Sequence, residues 1–223
     1  IHEAISDIRV EEIETLIFVG VGRVFLEPAT SALIAKKLGI SPHCFDVIEA
    51  CQSWTRACFL VDGLYKGGSL QGKTLIVNSE VHALKGISGS KDFGIEHMTD
   101  LEWKFPVYTM GDAVTATIVE PSNEQHLWQW ENTSEIADCC YLPLPGAEDY
   151  RTEKIISRQQ DFRFYSYGKT LHGKLAPLVV VCANRLLTED ECFDPDIVFT
   201  HTSSKRTWDS ICVDLGVQDK LYH

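Results

Sequence analysis

Three short, largely apolar runs, TLIFVGV (15–21), CFDVIEA (44–50) and TLIVNSE (74–80), alternate with segments whose apolar residues fall at helical spacing. A strand exposed on one face alternates apolar and polar residues, whereas a near-continuous apolar strand must be covered on both. The pattern therefore predicts an α/β fold with helices on both sides of a largely parallel sheet. PATSALIAKKLGI (28–40) reads as the first covering helix, with Pro28 in its first turn. SWTRACFLVDGLYKGG (53–68) reads as the second, closed by Gly67–Gly68, and DAVTATIVEP (112–121) returns as a strand.

Residues 83–110 form a long excursion with Gly86, Gly89 and Gly94, the kind of insertion that serves as a lid or a dimer contact. LWQWENTSEIADCCYLPLP (127–145) is expected to supply a further strand before a proline-bounded connection. The last third then repeats the opening order. A helical stretch (165–187) leads to an acidic turn, TEDECFDPD, then to a β run, IVFTHT, and a helix, SKRTWDSICVDLGV. This predicts a duplicated α/β arrangement with halves 1–121 and 122–223.

The chain has 223 residues, 44% hydrophobic and 23% charged, enough for a substantial core. Its formal net charge of −12 argues against a nucleic-acid groove, which needs a basic surface. No apolar run reaches the length of a membrane span. Eight cysteines include no C-x-x-C pair, so structural zinc is not expected, and scattered thiols in a large domain fit a reducing cytoplasm. The sequence starts at Ile1 inside what reads as a helix, so both ends are expected to be shortened.

Cys51 follows a buried strand and precedes the first turn of a helix. There, unpaired amides and the positive end of the helix dipole favour a thiolate, and the same amides can hold an oxyanion. The alternative is a core thiol, since free cysteine is among the most buried residue types. His201, at the end of IVFTHT among threonines and serines, suits a proton shuttle. Equally, Ser203 or Ser204 caps the next helix and the histidine is incidental. His2 and His223 lie at the ends, and His97 and His126 in loops. Glu27, before Pro28, reads by itself as a surface or helix-start carboxylate. The basic pairs Lys36–Lys37 and Lys205–Arg206 read as solvated helix faces or as contacts for an acidic carrier protein.

LIFVGVGRVFLEPATSALIAKKLGISPHCFDVIEACQSW, then GDAVTATIVEP, then DIVFTHTSSKRTWDSICVDLGV, taken in that order, resemble the thiolase superfamily. Within it they are most similar to the β-ketoacyl-ACP synthase III group of condensing enzymes. The resemblance is loosest at 83–110 and 122–164, and most specific at FDVxxAC with a histidine far downstream at a strand end. It implies a thiolase-like, duplicated α-β-α-β-α layered fold, truncated at both ends, and a homodimer. It also implies that Cys51 accepts an acyl group from acyl-CoA or acyl carrier protein, with His201 assisting. Trp54 and Ser204 are implied at the substrate. No metal or redox cofactor is implied, because the thioester already activates the acyl group. The family's third catalytic residue, an asparagine, is expected beyond His223.

The departures are informative. LEPAT places Glu27 where the synthase III group has an apolar gate, and is similar instead to head-to-head acyl-condensing enzymes of olefin biosynthesis. In those, a glutamate enters the partner's site as a base, and a carboxylate in a dry tunnel gains a more useful pKa. Ala113-Val114-Thr115 replaces a glycine cluster, Thr-His-Thr-Ser-Ser (200–204) replaces Pro-His-Gln-Ala-Asn, and Ser53-Trp54 replaces Gly-Phe. Condensation to a C–C bond is the leading expectation. Acyl transfer to oxygen or nitrogen and a catalytically silent partner subunit are the alternatives.

Overall fold

The computed structural model describes residues 5–6, 8–23, 25–80, 94–143, 164–189 and 194–222. The chain divides into two compact units, Ile1–Gly89 with Met110–His126, and Ser90–Thr109 with Leu127–His223. The excursion from residue 90 to 109 thus groups with the second unit, although the sequence halves assign it to the first.

The first unit runs β1 (Ile13–Val19), α1 (Thr30–Leu38), β2 (His43–Val47), α2 (Ser53–Lys66), β3 (Lys73–Glu80) and β4 (Ala113–Val119). Its sheet has the order β2-β1-β3-β4, with β1 parallel to both neighbours and β4 antiparallel to β3. Right-handed crossovers explain the placement of the helices. The chain steps from β1 to β2 in one direction and from β2 back past β1 to β3 in the other, so α1 and α2 cover opposite faces.

The pleat sorts the core accordingly. Leu16 and Phe18 of β1 share one cluster with Leu75, Val77 and Ala35 of α1, while Ile17, Val19 and Ile76 share another with Ala57 and Val61 of α2. From Leu16 to Val19 no side chain of β1 is more than 1% exposed. Each such side chain contributes roughly 1.5–3 kcal/mol through burial. The expectation of a sheet covered on both faces is met here.

Pro28 does not open α1. The helix begins at Thr30 because Asp46, from the neighbouring strand β2, caps it. Its carboxylate accepts from the amides of Thr30 (2.8 Å) and Ser31 (3.0 Å), from the Ser31 hydroxyl (2.8 Å) and from Arg23 Nη2 (3.0 Å). Burial opposes the charge, but these donors outweigh it and hold the Asp46 carboxyl below its ordinary value.

In the second unit, α3 (Leu101–Lys104) docks through Trp103, whose ring stacks on Tyr165 at 4.6 Å between centroids. Tyr165 belongs to β6 (Tyr165–Ser166), which pairs antiparallel with β5 (Cys140–Tyr141). The further strand expected from LWQWENTSEIADCCYLPLP is thus confined to two residues. A long helix, α4 (Gly168–Glu189), leads to β7 (Val198–Phe199), α5 (Lys205–Asp214) and β8 (Leu221–Tyr222). β7 and β8 pair in parallel across α5, as β1 and β2 do across α1. The β run expected at IVFTHT is much shorter than predicted, yet the β-α-β order of the opening recurs.

Because the Asp46 carboxyl is held below its ordinary value in the fold, its stabilising contribution is present above the normal carboxylate range. It is lost as pH falls through the depressed folded value. Asp46→Asn is expected to lower the unfolding free energy by about 2–4 kcal/mol at pH 7. The difference should shrink in acid, as read from urea denaturation at pH 7 and pH 3. Equal stability of the two proteins at pH 7 would remove Asp46 from this role.

Candidate active site

In a sheet of this order the crevice forms beyond the carboxyl ends of the parallel strands, where the chain direction reverses around β1. Cys51 leaves the end of β2, the Gly20-Val21-Gly22 turn leaves β1, and Glu80 closes β3. The thiol therefore sits at the position where an α/β sheet gathers ligands.

The junction carrying Cys51 is a sharp one. Between β2 and α2, residues Ala50–Gln52 make a single 3-10 turn. Ala50 has φ 46°, a left-handed conformation uncommon for a residue with a side chain and costing about 1–3 kcal/mol. Ser53, only 1% exposed, stabilises it. The Glu49 amide donates to Ser53 Oγ at 2.7 Å, and that hydroxyl donates to the Ala50 carbonyl at 2.8 Å. Arg56, one turn further along α2, grips the Glu49 carboxylate through Nε and Nη2 at 2.5 and 2.8 Å and holds its pKa down. Gln52 contributes no side-chain cap, and its amide and that of Ser53 donate to the Glu49 and Ala50 carbonyls, so the 3-10 turn runs directly into α2.

Cys51 is a free thiol, open to solvent on one side. Even so, enough protein surrounds the sulfur that desolvation pushes its pKa up, and the charge of Glu80 adds to this. A backbone hydrogen bond at Cys51 acts the other way without prevailing. Burial and a neighbouring carboxylate thus oppose the low-pKa thiolate expected from helix position alone.

The turn after β1 is packed against the end of β3. Gly22 N–H donates to the Ser79 carbonyl at 2.9 Å, and Val21 N–H meets Glu80 Oε2 at 3.5 Å. A Cβ on Gly20 (φ 100°) would lie 2.5 Å from the Ser79 carbonyl oxygen and 2.8 Å from Glu80 Oε1, and one on Gly22 2.7 Å from that same carbonyl oxygen. Only glycine fits either position. The turn continues into the segment bearing Phe25, Leu26 and Glu27, all exposed, with Leu26 at 71%. The Asp46 contacts with Arg23 and Thr30 fix the two ends of that segment.

Trp54 lies 41% exposed beside the nucleophile candidate, and its indole N–H donates to Thr117 Oγ1 of β4 at 3.1 Å. In the second unit His201 occupies the turn between β7 and α5, where Ser203 N–H donates to the His201 carbonyl at 2.8 Å. Packing around the imidazole lowers its pKa, and His172 of α4 lowers it further. Ser204 is the N-cap of α5, accepting from Thr207 N at 3.4 Å and bonding Thr207 Oγ1 at 3.0 Å. Capping accounts for this serine without a ligand. Ser53, Glu80 and His172 were not singled out as site residues in the sequence. Ser53's spacing of three from Ala50, and Glu80's position at the end of an apolar run, were the available signals.

No protein-family profile matches the chain. It is 32% identical over 77 residues to the acyl-CoA:acyl-CoA alkyltransferase of Xanthomonas campestris, a match covering 34% of this chain and 22% of that protein. Its fold is similar to Xanthomonas campestris OleA crystallised with lauric acid and lauroyl-CoA (TM-score 0.71, 17% identity, 95% of this chain and 61% of OleA). It is similar as well to a 3-oxoacyl-(acyl-carrier-protein) synthase III (TM-score 0.74, 16% identity, 99% of this chain and 68% of the synthase). The β-ketoacyl-[acyl carrier protein] synthase III of Thermus thermophilus gives a TM-score of 0.67 at 21% identity, covering 95% of this chain and 62% of that one. The fold is therefore thiolase-like, as the sequence resemblance implied. The chain spans less than two thirds of the OleA chain it matches.

Ser53→Ala is expected to cost about 1–2 kcal/mol, because it leaves the Glu49 amide unpaired in a half-buried turn. Hydrogen exchange should quicken at Glu49 while β1 amides stay protected. Unchanged exchange at Glu49 would show that the turn holds without the hydroxyl.

Proposed function

We propose that this chain carries the nucleophile of a Claisen-condensing acyltransferase that takes acyl groups from CoA or acyl carrier protein. The observation that supports this most directly is Cys51 on a braced, strained strand–turn–helix junction at the crevice of the sheet. In the first step the Cys51 sulfur attacks the thioester carbonyl while hydrogen-bond donors of the crevice stabilise the oxyanion. Collapse expels the pantetheine thiol, which carries away the proton, and leaves an S-acyl cysteine. In the second step a base removes the α-proton of a second acyl thioester. The carbanion attacks the acyl-cysteine carbonyl, forming the C–C bond and releasing the Cys51 thiolate, which is reprotonated.

Glu27 and His201 are the candidates for moving these protons. Glu27 stands on an exposed segment beside Phe25 and Leu26, as a residue reaching into a partner subunit would. His201, with its lowered pKa, is neutral and able to accept a proton at physiological pH. Trp54 is proposed at the tunnel wall, and Ser204 as a support for the His201 turn through its cap. Thioester activation makes a metal or redox cofactor unnecessary in this scheme, and the cytoplasm is the proposed compartment.

The proposed homodimer is supported by β4, an edge strand without a charged residue or proline from Ala113 to Val119, with Val114 56% exposed. Among the described residues no helix is long and apolar enough to cross a membrane. Residues Thr202 and Ser203, in place of the family's glutamine and alanine, favour acyl transfer to oxygen or nitrogen as the second reading.

Incubation of the full-length protein with a panel of acyl-CoA thioesters, followed by intact-mass analysis, tests the proposal. A gain of one acyl group that is absent in Cys51→Ala is the expected result. Product analysis then separates a new C–C bond from an ester or amide. A folded protein with an alkylatable Cys51 that gains no mass from any acyl-CoA or acyl carrier protein would overturn it.

A further inference from the structure

The sheet-facing side of α2 carries Ala57 and Val61, both sealed from water, which pack with Ile17, Val19 and Ile76. Two aromatic residues of the same helix tie it to β4. Near its end the Tyr65 hydroxyl lies 3.0 Å from the Val119 carbonyl, and in its first turn the Trp54 indole N–H donates to Thr117 Oγ1 at 3.1 Å. Ile118 packs with the α1 side of the sheet and Val119 with the α2 side, so Thr117, two residues from Val119, also faces α2. The two ties differ in effect. The Tyr65 hydroxyl, within reach of the Gly72 carbonyl and the Thr74 hydroxyl as well, anchors the body of the helix together with Ala57 and Val61. Trp54 is 41% exposed, so its N–H can be served by water and needs no protein partner to satisfy it. What the bond to Thr117 supplies is an orientation for the ring. Trp54 follows Cys51 by three residues, across the 3-10 turn that runs into α2. Side chains at that spacing stand one above the other, and a long side chain at a helix start leans back over the preceding turn. The indole therefore borders the approach to the thiol, and Thr117 sets the side on which it stands.

Resting on the reading of Cys51 as the acyl acceptor, we propose that Thr117 is a positioning residue that acts through Trp54 to set the shape of the acyl group the thiol accepts. Held against β4, the indole forms one fixed wall beside the sulfur and leaves the opposite approach clear for an extended chain. With its N–H engaged, the ring offers that chain apolar surface. Without the Thr117 hydroxyl the ring is free to turn among its rotamers over the preceding turn. A long group must then displace it at each approach, while a short one passes. The bond thus favours long chains over short ones without touching either.

The test is the alkylation of Cys51 in the full-length protein by N-ethylmaleimide and by N-hexylmaleimide, which share one reactive group and differ only in the length of the tail. Rates are read by peptide mass spectrometry, because other free cysteines are present. Thr117→Val keeps the shape of the side chain and removes the acceptor. It is expected to lower the hexyl-to-ethyl rate ratio about 3–10-fold, the weight of one hydrogen bond. Thr117→Ser supplies an acceptor again and should restore the ratio. Trp54→Phe keeps an aromatic ring without the N–H and should lower the ratio to a similar extent, with Thr117→Val adding nothing further in that background. A loss of packing alone would change both rates together and leave the ratio in place. A ratio that is unchanged or raised in Thr117→Val would overturn the proposal. Maleimides react without a thioester, so this result stands apart from the acyl-adduct experiment that decides whether Cys51 is the acceptor.

Discussion

Burial of β1 on both faces is the constraint from which the rest of the first unit follows. A strand with Leu16, Ile17, Phe18 and Val19 all sealed from water needs a helix on each side and a parallel neighbour on each edge. Two right-handed crossovers in opposite directions provide both at once. The same geometry opens a crevice at the carboxyl ends, because the connections diverge there. Cys51, the glycine turn and Glu80 meet at that end because three strands stop beside one another, not because they are near in sequence.

Holding that crevice in shape falls to a few buried polar contacts. Asp46 takes four donors from α1 and from Arg23, so one carboxylate on β2 sets both where α1 begins and where the Glu27 segment is anchored. Ser53 does the equivalent for the Cys51 turn, offsetting the left-handed backbone at Ala50 with two hydrogen bonds across it. The effect of these side chains is to keep exposed residues at fixed positions on an otherwise apolar framework.

The elements legible in the sequence were those whose structure is dictated by their own burial. β1, β3 and α2 lie within two residues of the predicted runs because apolar continuity and helical spacing are local signals, whereas β2 stops at Val47, three residues before the end of CFDVIEA. The start of α1 was misplaced at Pro28 because its cap arrives from Asp46, on the next strand, and no local pattern announces that partner. IVFTHT and LWQWENTSEIADCCYLPLP carried strand-forming composition, but strand length depends on what pairs alongside, and β7 and β5 each find a partner for only two residues. Cys51 was found by its place between strand and helix. Glu80 carries no local signal of its effect on Cys51, because the two residues belong to different strand ends.

The electrostatics of Cys51 show why position on an element is an incomplete guide to reactivity. The helix end alone argues for a low thiol pKa, and the argument holds for an isolated helix in water. In the folded chain the same junction is surrounded by protein, which disfavours charge, and a carboxylate is brought beside it, which disfavours negative charge specifically. For a thiol that exchanges one thioester for another, this arrangement is chemically coherent. The leaving sulfur has nearly the same basicity as the attacking one, so a preformed thiolate offers little driving force. On that reading, what the site must lower is the energy of the oxyanion between them, a task for hydrogen-bond donors aimed at the acyl oxygen rather than for a preformed thiolate.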